Sequence, residues 1–176
     1  PTSVRKPAGK MMGGQMADDV ISTVSLDLRV EDEHWLTSDT EQTLQELAET
    51  AFNAAAHATK SGHVDLLLTG DAQMQVLNRN WRDKDKPTDV LSFPSDDLAF
   101  ESGILGDIAL GFGVFTEDLT KLKREFNAHF SHLLIHGYLH LLGFDHENEA
   151  DADEMEALET NILAELGYSD PYSTGA

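Results

Sequence analysis

The sequence has no cysteine, so neither a disulfide nor a thiolate metal site can form, and any metal must be held by histidine and carboxylate. Cations are scarce. Twelve Lys and Arg stand against 32 Asp and Glu, a formal net charge of −20, which argues against a general nucleic-acid coat protein because phosphate binding rests on a basic surplus. No apolar run approaches the roughly 18 residues of a membrane span, and the N-terminus lacks the apolar core of a signal peptide. These absences describe a soluble, cytoplasmic protein without a membrane partner. A Gly-rich phosphate loop is also missing, which disfavours a doubly wound nucleotide fold. What remains is 176 residues of ordinary globular composition, the length of one domain with one core.

The few cations are unevenly placed. Arg79, Arg82, Lys84 and Lys86 form one cluster and Lys121, Lys123 and Arg124 another, whereas no Lys or Arg follows Glu147. An acidic C-terminal segment of this kind reads as a solvated face.

Residues 1–18 carry Pro7, Gly9, Gly13 and Gly14 with little periodic apolarity and read as a flexible tail. Residues 19–176 read as a single metal-dependent hydrolase domain. Val20 to Val30 has the β-branched content and, from Val24, the alternation of a strand. Ser38 to Glu41 has capping-box spacing, and Leu44, Leu47, Ala48, Ala51, Phe52 and Ala55 follow at helical intervals. His63–Thr69, Val90–Phe93 and Leu105–Leu110 read as further strands. Gly70-Asp71 opens a short helix through Trp81, and Arg82 to Thr88 reads as a charged loop. Thr116 to Leu142 is helical with at most one break, Gly143 is a natural C-terminal cap, and Glu149 to Leu166 is a last amphipathic helix. Early strands and late helices predict an α+β fold, with about four strands in a mixed sheet packed with helices and a metal site at the end of a central helix.

That site is His136-Gly137-Tyr138-Leu139-His140-Leu141-Leu142-Gly143-Phe144-Asp145-His146. Histidines four apart project from one helix face, so both imidazoles can reach one ion at about 2.0–2.1 Å. Gly143 lets the chain turn and return His146 to the same ion. Three ligands with a vacant fourth position describe a catalytic zinc site holding one ion. The spacing reproduces the ligand and turn positions of the metzincin motif, but Gly137 stands where that motif has the Glu that takes the proton from water, which disfavours a peptidase. His132, one turn earlier, and Asp145 are candidates to orient a ligand ring or to act as general base; a surface histidine and a plain turn residue are the alternatives. Met155 has the helical spacing of a core residue.

Asn78 to Pro94 adds four cations and Trp81, groups that suit phosphate oxygens and a stacked base. Together, Trp81-Arg82-Asp83-Lys84-Asp85-Lys86-Pro87-Thr88-Asp89-Val90-Leu91-Ser92-Phe93-Pro94 and the histidine segment resemble the YbeY family of bacterial rRNA maturation factors. Leu105-Gly106-Asp107-Ile108 and Glu154-Met155-Glu156 extend the resemblance over about Val64 to Tyr172. It implies a zincin-like fold, zinc held by His136, His140 and His146, and a functional arginine at Arg82. It also implies a single-strand-specific endoribonuclease acting in 16S rRNA 3′-end maturation and small-subunit quality control. Its partners would be pre-16S rRNA, the small subunit and assembly factors, with DNA not expected. A non-catalytic ribosome-assembly factor with a structural metal, and a metallopeptidase drawing a carboxylate from elsewhere, are the competing readings. The expected arrangement puts Arg82 across a groove from the histidines, Lys84 or Lys86 near its rim, and the acidic last helix away from it.

Overall fold

The computed structural model describes residues 23–173. The expected tail, and the expected strand start at Val20, lie outside them. Among the described residues the chain forms an α+β fold with one four-stranded sheet and six α-helices. The strands are β1 (Ser25–Val30), β2 (His63–Thr69), β3 (Val90–Pro94) and β4 (Ile104–Gly111), ordered β1-β2-β4-β3. β1, β2 and β4 are parallel, and β3 runs antiparallel to β4 as an edge strand.

Strand alternation separates two faces. Val64, Leu66, Leu68, Ile108 and Leu110 turn to the main core, which they share with helices α1 (Glu41–Ala58) and α5 (Phe126–Leu141). Leu91 and Ala109 turn the other way, against Met74 of α2 (Asp71–Arg82). α5 is the central helix. Its apolar residues surround it rather than forming one stripe, and it is covered by the sheet, by α1 and by α6 (Glu149–Glu165).

One local expectation is corrected: α1 is capped by Thr40, which accepts from the Thr43 amide at 3.0 Å, and not by a Ser38–Glu41 box. The buried Trp35 pins a 3-10 turn at Glu33–Leu36, and its indole N–H donates to the Thr69 carbonyl at 2.8 Å, which delays the helix start. The helical stretch read from Thr116 with at most one break is two helices, α4 (Phe112–Lys121), which starts four residues earlier, and α5, parted where Lys123 takes a left-handed φ of 52°. A short helix, α3 (Asp97–Glu101), occupies the loop before β4 and is capped by Asp96.

Gly106 lets β4 come close to β3. A bulge skips Leu105 opposite β2, Gly106 sits at φ +142°, and a Cβ there would fall 2.3 Å from the Phe93 carbonyl oxygen. Gly106→Ala is therefore expected to destabilise the protein by at least about 1–3 kcal/mol, the range for a strained backbone position. Urea unfolding of both proteins is the check; equal midpoints would refute the role assigned to Gly106.

Candidate metal centre

α5 ends in a paired hydrogen-bond cap. Gly143, at φ +101°, donates to the His140 carbonyl and Phe144 donates to the Leu139 carbonyl, each at 3.0 Å, the pattern of a left-handed glycine stop. The turn brings His146 back beside the helix. Ring centroids of His136 and His140 lie 4.6 Å apart, and those of His146 lie 5.6 and 5.0 Å from them. One nitrogen from each of the three rings falls within 4.8 Å of the others.

The tautomers follow from the partners. His140 Nδ1 is 3.0 Å from the Phe144 carbonyl oxygen, and His136 Nδ1 is 2.8 Å from Oε2 of Glu159. Both partners are acceptors, so each Nδ1 carries the hydrogen and donates it. The two Nε2 atoms are thereby left to face each other at 3.1 Å, a separation at which one ring donates to the other or both turn a lone pair to a shared cation. Burial, then the neighbouring His136 and His146, push His140 down to about 4, which keeps the ring neutral and able to act as a ligand. All-nitrogen donors with an open side suit zinc and similar borderline ions.

Glu159 was missed by the sequence reading. It is fully buried on α6, with Oε2 accepting from His136 and Oε1 accepting from His132 at 2.8 Å and from the Tyr172 hydroxyl. Burial raises its carboxyl, but the hydrogen bonds from His132, His136 and Tyr172 prevail and hold it at about 2. A signal was present: Glu159 falls in the buried stripe Met155, Glu159, Ile162, Leu163, where a charge is out of place. α6 thus packs on α5 and supplies a carboxylate to the histidine cluster. His132 touches no ring of the cluster through a hydrogen bond: its Nε2 is held by Glu159 at 2.8 Å and its Nδ1 lies 3.4 Å from Arg124 Nη1. The Asp145 carboxylate accepts from the Glu147 amide at 2.7 Å, the bond of a turn residue. Met155 is a core residue, 1% exposed.

At Gly137, where a metzincin carries its glutamate, a Cβ would lie 3.0 Å from Ser92 Oγ and 3.1 Å from Ile108 Cδ1. The position faces the sheet. Ser92 donates to the Gly137 carbonyl at 3.2 Å, tying β3 to the turn that carries His136. Arg82, at the end of α2, donates from Nη2 to the Ser92 carbonyl at 2.7 Å. Arg82 is therefore linked to the histidine helix through one residue of β3, and its other N–H groups have no protein partner among the described residues. In the following loop Asp85 holds Arg79 at 3.4 Å, whereas Lys84 and Lys86 have no carboxylate partner among the described residues. The loop is fixed by the Asn78 amide donating to the Lys86 carbonyl at 2.9 Å and by Asp83 in a left-handed conformation.

A groove of about 860 Å³ lies over the outer sheet face, lined by Leu77, Trp81, Phe93, Asp65 and Asp107. The three histidines do not line it, and neither do Glu154 and Glu156. Burial, then the neighbouring Asp65, raises the Asp107 carboxyl.

A family model described as Endoribonuclease YbeY matches residues 28–167. Proteins named Endoribonuclease YbeY from Bradyrhizobium diazoefficiens and Azorhizobium caulinodans are 44% and 43% identical to this chain. The first alignment covers 77% of each chain, the second 87% of this chain and 99% of the relative. The solution structure of TM1509 from Thermotoga maritima aligns with a TM-score of 0.51 at 23% identity, over 84% of this chain and 99% of that one, a likeness of fold. With a family model spanning both the Arg82 loop and all three histidines, the chain belongs to the YbeY endoribonuclease family.

Proposed function

We propose that the chain is a zinc-dependent endoribonuclease that hydrolyses phosphodiester bonds of single-stranded RNA. It would work in the cytoplasm, in 16S rRNA 3′-end maturation and small-subunit quality control, with pre-16S rRNA, the small subunit and its assembly factors as partners. Family membership supports the RNA phosphodiester as substrate. The observation that carries the metal assignment is the 3.1 Å approach of the His136 and His140 Nε2 atoms, each ring having committed its Nδ1 hydrogen elsewhere.

His136, His140 and His146 would hold the ion. Zinc with an open position supplies Lewis acidity toward a phosphoryl oxygen and lowers the pKa of water. Glu159 keeps the His136 ring turned and raises its basicity through the hydrogen bond on Nδ1. The Phe144 carbonyl does the same for His140. Arg82, with one N–H spent on Ser92, offers its remaining fork to phosphate oxygens, where charge grows as the scissile bond breaks. Lys84 and Lys86 add unpaired charge along the approach. A peptidase reading loses support because the general-base position is a glycine pressed against Ser92 and Ile108.

The two roles should fail differently. His140→Ala removes a ligand, so zinc content and melting temperature both fall. Arg82→Ala leaves both nearly unchanged but slows single-turnover cleavage of single-stranded RNA about a hundredfold or more, the cost of one electrostatic donor at roughly 2.7–4 kcal/mol. Arg82→Lys rescues only in part. Wild-type cleavage by Arg82→Ala would remove the arginine's role; full zinc in His140→Ala would remove the site. Casein cleavage would favour the peptidase, and inactivity on both substrates with ribosomal-particle binding retained would favour the assembly factor.

Glu159→Gln puts an amide donor against at least one of three hydrogen donors. Zinc affinity, measured by competition with a chelator, is expected to fall about 10–100-fold. Unchanged affinity would show that Glu159 does not orient the ligand.

A further inference from the structure

Asp89, Asp118 and His129 meet away from the three-histidine cluster. Asp89 immediately precedes β3 at the end of the basic loop, Asp118 lies on α4, and His129 lies on α5, seven residues or about 10 Å along the helix before His136. One ligand atom from each falls within 4.8 Å of the others, and His129 Nε2 is 3.9 Å from Asp118 Oδ2. That separation exceeds a hydrogen bond. His129 is only 3% exposed, yet neither ring nitrogen has a partner, the only such buried side-chain atoms among the described residues. Its ring stacks on Phe115 at 5.2 Å, which fixes its plane.

The carboxylates are short of donors as well. Asp89 Oδ1 accepts from the Val90 amide at 2.7 Å and from the Thr88 hydroxyl at 3.4 Å, leaving Oδ2 open, and the Asp118 carboxylate accepts no hydrogen bond among the described residues. Burial and then the nearby Asp89 raise the Asp118 carboxyl, while burial, then Arg124 and His132, push His129 down to about 4. A neutral imidazole cannot compensate two carboxylates as a cation would. By contrast Asp27, His63 and Asp65, another triad of the same residue types, form surface contacts in which both His63 nitrogens are already used, by Ser25 at 2.9 Å and Asp65 at 3.2 Å.

We propose that Asp89, Asp118 and His129 form a second divalent-cation site, taking a transition-metal ion such as Mn2+ or Zn2+. One imidazole nitrogen with two carboxylates suits these ions better than Mg2+ or Ca2+, which favour all-oxygen shells. Bonds of about 2.0–2.2 Å place neighbouring donors about 3.0–3.5 Å apart, so the side chains close inward by up to about an ångström. Asp118, 23% exposed, provides the entry. The site stands too far from the histidine cluster for two ions to share one phosphate, which in two-metal centres needs about 3.5–4 Å. Its effect is to fasten the end of the Arg82 loop and α4 to the metal-binding helix.

Chelator-stripped protein is equilibrated with Mn2+ and metal is counted per chain. A His136→Ala/His140→Ala double variant is expected to keep one equivalent and to melt higher with Mn2+; adding Asp118→Asn should abolish both. Retention of that equivalent in the triple variant, or none bound by a cooperatively folding double variant, overturns the proposal. Should the double variant not fold, wild-type crystals soaked in Mn2+ decide: an anomalous peak among Asp89, Asp118 and His129 supports the site. A peak at the three histidines alone refutes it.

Discussion

A carboxylate sealed in a protein core must be paired, because an uncompensated buried charge costs several kcal/mol. Glu159 meets that requirement with donors from three places: His132 and His136 on α5, and Tyr172 near the end of the chain. The pairing therefore does more than balance charge. It sets the rotation of α6 on α5, fixes the His136 ring, and holds the C-terminal segment, which Arg124 secures a second time through the Pro171 carbonyl at 2.5 Å. The placing of the His136 ring in the histidine cluster is thus a consequence of satisfying one buried acid.

The same economy operates on the sheet side. α5 approaches β3 closely because position 137 has no side chain; Ser92 can then reach the helix backbone, and its own carbonyl is left for Arg82. A side chain at 137 would crowd Ser92 Oγ and Ile108, the groups through which β3 meets the helix. Glycine at this position thereby joins two facts that look unrelated in sequence, the absence of a peptidase glutamate and the proximity of Arg82 to the helix. On the proposed reading the chemistry rests on three histidine ligands and a guanidinium, which suits a charged phosphodiester better than a neutral amide.

The four strands, α5 and the turn at Gly143 were legible because each is written in local signals: alternation, 3.6-residue spacing, a glycine stop. The convergence of three imidazoles was legible for the same reason, all three lying within eleven residues. Glu159 was not, since it lies 23 residues from His136 and its partner depends on how α6 docks. The acidic run after Glu147 read as a solvated face, and for Glu154 and most of its neighbours exposure bears this out. The one acid on the inward stripe carries the opposite meaning, and only its spacing from Met155 and Ile162 distinguishes it. Thr40, and not Ser38, caps α1 because Trp35 holds the preceding turn, a tertiary constraint that no capping pattern expresses.

The net charge of −20 misleads for a related reason. Summed charge treats every acid as equal, whereas salt at physiological strength screens exposed charges beyond about 8 Å. What an approaching polyanion meets first is set by pairing within that distance. Arg79 pairs with Asp85 at 3.4 Å, whereas Lys84 and Lys86 make no direct ion pair among the described residues, and the one internal bond of Arg82 is donated to a neutral carbonyl and not to a carboxylate. Glu159, the acid bonded to His136 of the histidine cluster, is turned inward and covered by three donors, so it presents no lone pair to solvent. On the proposed reading, a strongly acidic chain can bind RNA because its cations are left unpaired in one loop while the acid beside its catalytic residues is hidden.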